Sequence, residues 1–272
     1  MAQTSVILYG IDSTTARPAL VAKVSRDPAF GFVVEEEVNR WREARLALRP
    51  ERQHTVPRPL GLVRIDRDVY LISEFAPEDA RWERLATTPR TLLTERLAAW
   101  LADLHTGSER PRGEGGTGRP ELIVKAYIEV FQPPGPVERR LRQAAESVTA
   151  EYAASSTEVL VHGDFWPGNW RIAGSDFSIV DWEHSHWSPS PLIDEFLFPL
   201  SSLTLAHDGP DLTSFSETYR RQRRLPLRSG EEADLASIWT AAEVATRTQR
   251  RWGVVEDWSL KWQEAVMRLA VR

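Results

Sequence analysis

The residues able to do chemistry gather in one segment, Leu160 to Glu183, which reads LVHGDFWPGNWRIAGSDFSIVDWE. His162-Gly163-Asp164 turns the chain after the apolar Leu160 and Val161, and Asn169 follows Asp164 at a short spacing. Trp170 to Ala173 reads as a strand, Gly174-Ser175-Asp176 as a turn and Phe177 to Val180 as a second strand. A hairpin returns its end to its start, so Asp181 and Glu183 come back beside Asp164 and Asn169. Such a set suits phosphoryl transfer, which asks a protein for positioned Mg2+ and an oriented hydroxyl more than for covalent help. Asp164 offers a carboxylate to accept a hydrogen bond from that hydroxyl. The amide oxygen of Asn169 and the carboxylate of Asp181 are the oxygen donors that Mg2+ prefers.

The spacing H-x-D-x-x-x-x-N matches the catalytic loop of protein kinases, with Gly163 in place of their Arg and Asp181-Trp182-Glu183 in place of their Asp-Phe-Gly. HGDFWPGN followed by IVDWE resembles, almost letter for letter, the signature of the aminoglycoside phosphotransferase and choline kinase-like family. The resemblance implies an α+β, protein-kinase-like fold and transfer of the γ-phosphate of ATP or GTP to a hydroxyl of a small molecule. It implies Asp164 as catalytic base and Asn169 and Asp181 as Mg2+ ligands. Glu183 joins them as holder of a second ion or as a group facing the acceptor. His162 is expected to support the loop. Pro191 to Leu197 resembles the family's segment in which an aspartate at a helix start, here Asp194, hydrogen-bonds the backbone of the catalytic loop.

Upstream elements must hold the donor. Thr4 to Gly10 and Ala19 to Ser25 are β-rich runs around a polar turn, an antiparallel hairpin. Val21-Ala22-Lys23 is similar to the pattern around the family's nucleotide-phosphate lysine. Phe32 to Leu48 is helical by period, with Val34, Glu37, Trp41, Ala44 and Leu48 on one face. Of Glu35, Glu36 and Glu37, only Glu37 shares that face, so it is the expected partner of Lys23. Leu60 to Ile65 and Val69 to Phe75 form a second hairpin. Its end resembles the last strand of the family's small lobe, leading into a hinge at Glu74, Phe75 and Ala76, where backbone groups would meet the base of ATP or GTP. A lobe boundary is expected near residue 77, with a β-rich nucleotide lobe over 1–77 and a helical catalytic and substrate lobe over 78–272.

Thr91 to His105 is an amphipathic helix, and His105 reads as a packed or capping histidine. Gly107 to Pro120, rich in Gly and charge, reads as a mobile loop. Glu121 to Phe131, Val137 to Ala154, Leu212 to Arg223, Glu231 to Trp252 and Val255 to Arg272 read as helices, the last three as the outer wall of the substrate lobe. Ser229 and Glu232 have the spacing of a capping box. His184 and His186, two apart in a loop, make a weak zinc site and read as pocket-edge residues.

The chain has 272 residues, a net charge of −5 and no cysteine, which removes disulfides and thiolate chemistry. Its acidic balance argues against a nucleic-acid partner held by bulk electrostatics. Without a basic leader or a long apolar span, a cytoplasmic protein with no membrane partner is expected. Eleven Trp residues are many for this length, and Trp166 and Trp187 are candidates to line an acceptor pocket. Glu183 and Glu195 add acidity beside the motif, which suits a cationic or amino acceptor.

Only Met1, Ala2 and Gln3 precede the first hairpin strand. The expectation is a small lobe one strand short, without a complete phosphate-covering loop. A kinase-like binding or regulatory protein lacking transferase activity is therefore the rival reading. The same fold running another reaction on a nucleotide or natural product is a third.

Overall fold

A computed structural model describes residues 5–25, 31–113, 119–204, 212–252 and 257–271. The small lobe is an antiparallel sheet. β1 (Ser5–Ile11) and β2 (Pro18–Ser25) pair with Ile7 opposite Lys23, and β3 (Pro59–Ile65) and β4 (Asp68–Glu74) pair with Leu62 opposite Leu71. β2 and β4 lie side by side in the middle, giving the order β1-β2-β4-β3. Among the described residues this sheet has four strands. The residues before Ser5, where the expected strand start at Thr4 and the shortened loop fall, lie outside the described residues.

Alternation builds the inner face: Val69, Leu71 and Ser73 of β4 are buried while their neighbours are less so. Against it packs α1 (Gly31–Ala47), through Val34, Val38, Trp41 and Ala44 at helical spacing. Glu37 lies in that same stripe and is buried.

The larger lobe is helical: α2 (Thr87–Gly107), α3 (Pro120–Phe131), α4 (Gly135–Ala154), α5 (Leu192–Thr204), α6 (Leu212–Gln222), α7 (Gly230–Trp252) and α8 (Asp257–Ala270). Ser229 and Glu232 do cap α7 reciprocally: Ser229 N donates to Glu232 Oε2 (2.7 Å) and Glu232 N to Ser229 Oγ (3.2 Å).

Three expectations need correction. α7 is no outer wall; it packs against α3, α4, α5 and α8. Ala236, Ser237, Ile238, Trp239, Thr240, Ala241 and Ala242 are all buried, and consecutive positions run around the helix rather than along one stripe. Part of the stretch after Gly107 is a strand. Arg110–Pro111 forms β5 and pairs with Glu158 and Thr157 of β6 (Thr157–Val161). Polar contacts replace the missing apolar ones there, with Arg110 2.7 Å from Glu158 and Ser108 Oγ accepting from Leu160 N at 3.0 Å. The remainder of that expected loop, 114–118, lies outside the described residues. His186 is not in a loop but opens a short strand, β9 (His186–Ser188), which pairs with the other edge of β6. Between β6 and β9 the chain makes the hairpin of β7 (Trp170–Ala173) and β8 (Asp176–Ile179), in the register Trp170 opposite Ile179.

Candidate active site

A cleft of about 420 Å3 lies between the sheet and that hairpin. It is lined by Lys23, Glu37, Asp164, Asn169, Asp181 and Glu183, and by the Glu74-Phe75-Ala76 segment. The fold thus brings together side chains from β2, α1, the loop after β6 and the loop after β8.

Lys23 is the centre of an ionic cluster. Its Nζ lies 2.9 Å from Glu37 Oε2, 2.7 Å from Asp181 Oδ1 and 3.0 Å from Glu183 Oε2. Burial disfavours its charge, but the three carboxylates outweigh burial and hold its pKa above the ordinary lysine value. For Glu37 burial wins over the pull of Lys23 and pushes the carboxyl up. Oxygens of Glu37, Asp181 and Glu183 all lie within 4.8 Å of one another, the only such group among the described residues. With all three ionised, the carboxylates around one ammonium leave an excess of two negative charges. Hard oxygen donors with that excess suit a divalent cation such as Mg2+. Neither histidine of the weak zinc reading is in that group: His184 Nε2 lies 3.6 Å from Glu183 Oε1, at its edge, and His186 Nδ1 donates to His184 O at 3.0 Å.

The catalytic-loop geometry begins at Gly163, whose φ is +76°. A Cβ there would also stand 2.4 Å from the carbonyl oxygen of His184. Only glycine satisfies both conditions, which accounts for its presence where protein kinases carry Arg. Asp194, in the first turn of α5, holds the loop backbone. Its Oδ1 accepts from Gly163 N at 2.8 Å, and its Oδ2 from His162 N at 2.6 Å and from His105 Nε2 at 3.2 Å. Burial works against this carboxylate, but its hydrogen bonds prevail and keep its pKa below the ordinary value. His105 is buried, with Tyr219 Oη 2.8 Å from its Nδ1, so it is a packed residue as its sequence context suggests. His162 is also buried; its Nε2 donates to Val180 O at 3.1 Å and its Nδ1 accepts from Asp164 N at 3.2 Å, which ties the loop to the end of β8.

Asp164 is held on both oxygens. Oδ2 accepts from Asn169 Nδ2 at 2.8 Å and Trp166 Nε1 at 3.2 Å; Oδ1 accepts from Arg247 Nη2 at 3.2 Å. Burial raises its pKa and Arg247 opposes the rise. Because Asn169 spends its NH2 on Asp164, its Oδ1 is the atom available to a cation. Arg247 is a residue that sequence reasoning missed. It also donates to Gly163 O at 2.6 Å, from the interior helix α7. No motif marks it, since only tertiary packing brings α7 to the loop.

The remaining expected residues fall as follows. Glu74 lines the cleft with its carboxylate engaged by Arg58 at 2.9 Å and its backbone N–H donating to Arg58 O at 3.0 Å. Trp166 packs on the helical core and steadies Asp164. Trp187 lies away from this cleft and lines a second cavity. Glu195 is no acceptor-facing acid: it is fully buried and tied to Ser216, Arg220 and Arg228.

A sequence model described as the phosphotransferase enzyme family matches residues 12–192, more than half of the chain. The chain belongs to that family. Solved structures place the phosphotransferase among kinase-like folds. A thermostable mutant of aminoglycoside phosphotransferase APH(4)-Ia is similar with a TM-score of 0.65 at 14% identity, covering 100% of this chain and 92% of that one. A choline/ethanolamine kinase family protein from Mesorhizobium loti has a TM-score of 0.60 at 15% identity, covering 100% and 85%. Amicoumacin kinase hAmiN, in complex with AMP-PNP, Ca2+ and Ami, has a TM-score of 0.62 at 11% identity, covering 100% and 87%. No curated protein sequence matches the phosphotransferase. Among its described residues, no helix is long and apolar enough to cross a membrane.

Proposed function

We propose that this phosphotransferase moves the γ-phosphate of ATP or GTP to a hydroxyl of a small molecule, in the cytoplasm where both nucleotides are at hand. The observation that carries the reading is the convergence of a hydrogen-bonded carboxylate, Asp164, and a carboxylate cluster with excess negative charge on one cleft. Asp164 accepts the hydrogen bond of the acceptor hydroxyl and takes its proton. Asn169 and Trp166 fix the direction in which that carboxylate points. Asn169, Asp181 and Glu183 would hold Mg2+, which when bound neutralises charge on the phosphates. Glu37 keeps Lys23 in place for the phosphates, and the backbone of Glu74, Phe75 and Ala76 meets the nucleotide base. Asp194 and His162 support the loop. The likeness to a kinase solved in complex with AMP-PNP and Ca2+ supports this assignment.

A metabolite screen read by mass spectrometry tests it, with ATP or GTP and Mg2+ supplied. A phosphorylated product that forms only with nucleotide is expected. No product from any hydroxyl metabolite, together with no calorimetric binding of either nucleotide, would leave the kinase-like binding protein as the better reading.

A further inference from the structure

The segment that carries Asp164 is gripped from two helices. Asp194 of α5 accepts from the N–H groups of His162 and Gly163, and Arg247 of α7 engages the carbonyl that follows: its Nη1 donates to Gly163 O at 2.6 Å. That carbonyl belongs to the peptide bond that leads into Asp164. The other arm of the same guanidinium, Nη2, donates to Asp164 Oδ1 at 3.2 Å. One planar group thus holds the base by its backbone and by its carboxylate together, which a guanidinium fork can do and a single ammonium cannot. The anchor is firm, since α7 is an interior helix and Val244, Ala245 and Thr246 beside Arg247 are buried.

A carboxylate accepts hydrogen bonds at about four lone-pair positions, two on each oxygen. On Asp164 Oδ2, Asn169 Nδ2 at 2.8 Å and Trp166 Nε1 at 3.2 Å fill both. On Oδ1, Arg247 fills one, so among the described residues one position stays open. The three donors also fix the plane of the carboxylate. Without Arg247 both remaining donors sit on Oδ2, and Oδ1 can swing about that atom with two open positions in place of one. Arg247 itself does not line the cleft that holds Lys23 and Asp181.

We propose that Arg247 is a positioning residue for phosphoryl transfer: it aims the one open lone pair of Asp164 Oδ1 at the incoming O–H group. The idea rests on the phosphotransferase reading and deepens it. The oxygen of that group bonds to the γ-phosphorus as the bond from phosphorus to the bridging oxygen of the β-phosphate breaks. The proton passes to Oδ1, and the nucleoside diphosphate leaves. Arg247 acts through Asp164, keeping the base in line, rather than on phosphate or nucleophile.

Release of inorganic phosphate from Mg2+-ATP or Mg2+-GTP, with water as the nucleophile, reads this role on the intact chain. Arg247→Met should lower kcat by about 10²-fold, with the nucleotide KM and the calorimetric nucleotide affinity unchanged. Arg247→Lys keeps the charge but not the fork, and should recover little of that loss. In an Asp164→Asn background the same Arg247→Met change should cost less than about 3-fold, because the group it aims is gone. Losses that multiply across this double-mutant cycle show a purely structural role and overturn the proposal. Wild-type kcat in Arg247→Met or in Arg247→Lys overturns it too, as does a loss of kcat matched by a loss of nucleotide affinity. If the melting curve shows that Arg247→Met does not fold, the same cycle with Arg247→Lys decides. A wild-type chain that binds Mg2+-nucleotide yet releases no phosphate overturns the aiming of Asp164 alone. One that binds neither nucleotide overturns the phosphotransferase reading with it.

Discussion

Asp164 and Asp181 carry different burdens, and their variants should fail differently. Asp164→Asn keeps the shape and hydrogen-bonding size of the side chain but removes the carboxylate proposed as base. Turnover of the true acceptor should fall about 10²–10⁴-fold, with nucleotide affinity close to wild type; turnover near wild type would remove Asp164 from the base role. Asp181→Ala takes one carboxylate from the cluster around Lys23 and should weaken Mg2+-dependent nucleotide binding, read by calorimetry with and without the metal. Equal affinities would show that Asp181 is not a ligand. These residues were legible in the sequence because the loop and hairpin fix them by local spacing. Arg247 was not, because its role exists only where α7 meets the catalytic loop, far along the chain. Glu195 misled for the same reason. Its acidity is visible in sequence, but Arg220 and Arg228, which neutralise it, reach it only through packing.

At the scale of elements, the catalytic loop is hung from α2 and α6 through α5. Tyr219 on α6 meets His105 on α2, His105 meets Asp194 on α5, and Asp194 holds the loop N–H groups. The His105 imidazole is held below its ordinary value of 6.5 by burial, with Asp194 pulling the other way. The unfolded chain therefore binds a proton as pH falls through 6.5 that the native chain still refuses, so the His105 contribution lowers stability as pH falls, while Glu37, pushed up to about 7 by burial, contributes in the opposite sense. Denaturant unfolding between about pH 7.5 and 5.5, compared between wild type and His105→Gln, should show that the variant loses less stability, or gains more, as pH falls. A variant with the wild-type slope would mean that His105 titrates alike in both states. The helix around His105 could be read from its period, and so could α1 with Glu37 on its buried face. β9 and β5 could not. Each is very short, and each exists because β6 offers it an edge, a cause that lies outside its own residues.

For the whole molecule, the ionic cluster is a bridge: Lys23 and Glu37 stand in the sheet lobe, Asp181 and Glu183 on the loop after the hairpin. A ligand that satisfies both sides stabilises the folded chain by mass action, about 2.7 kcal/mol at 100-fold excess over its dissociation constant. ATP or GTP with Mg2+ should raise the melting temperature by several degrees, and chelating the metal should remove most of the rise. A chain whose melting temperature ignores nucleotide in both conditions does not use this cleft for nucleotide.

The pairing of Lys23 with Asp181 spans 158 positions, and that separation orders events while the protein is being made. At about 5–20 residues per second, Asp181 leaves the ribosome roughly 8–30 s after Lys23. Through that interval Lys23 has Glu37 alone, one positive charge against one negative, and the nascent sheet has no electrostatic call on a divalent ion. The appetite for the ion arrives with the hairpin, when Asp181 and Glu183 dock and tip the balance. A chain stalled during translation before residue 181 would thus lack two of the three carboxylates of the cluster.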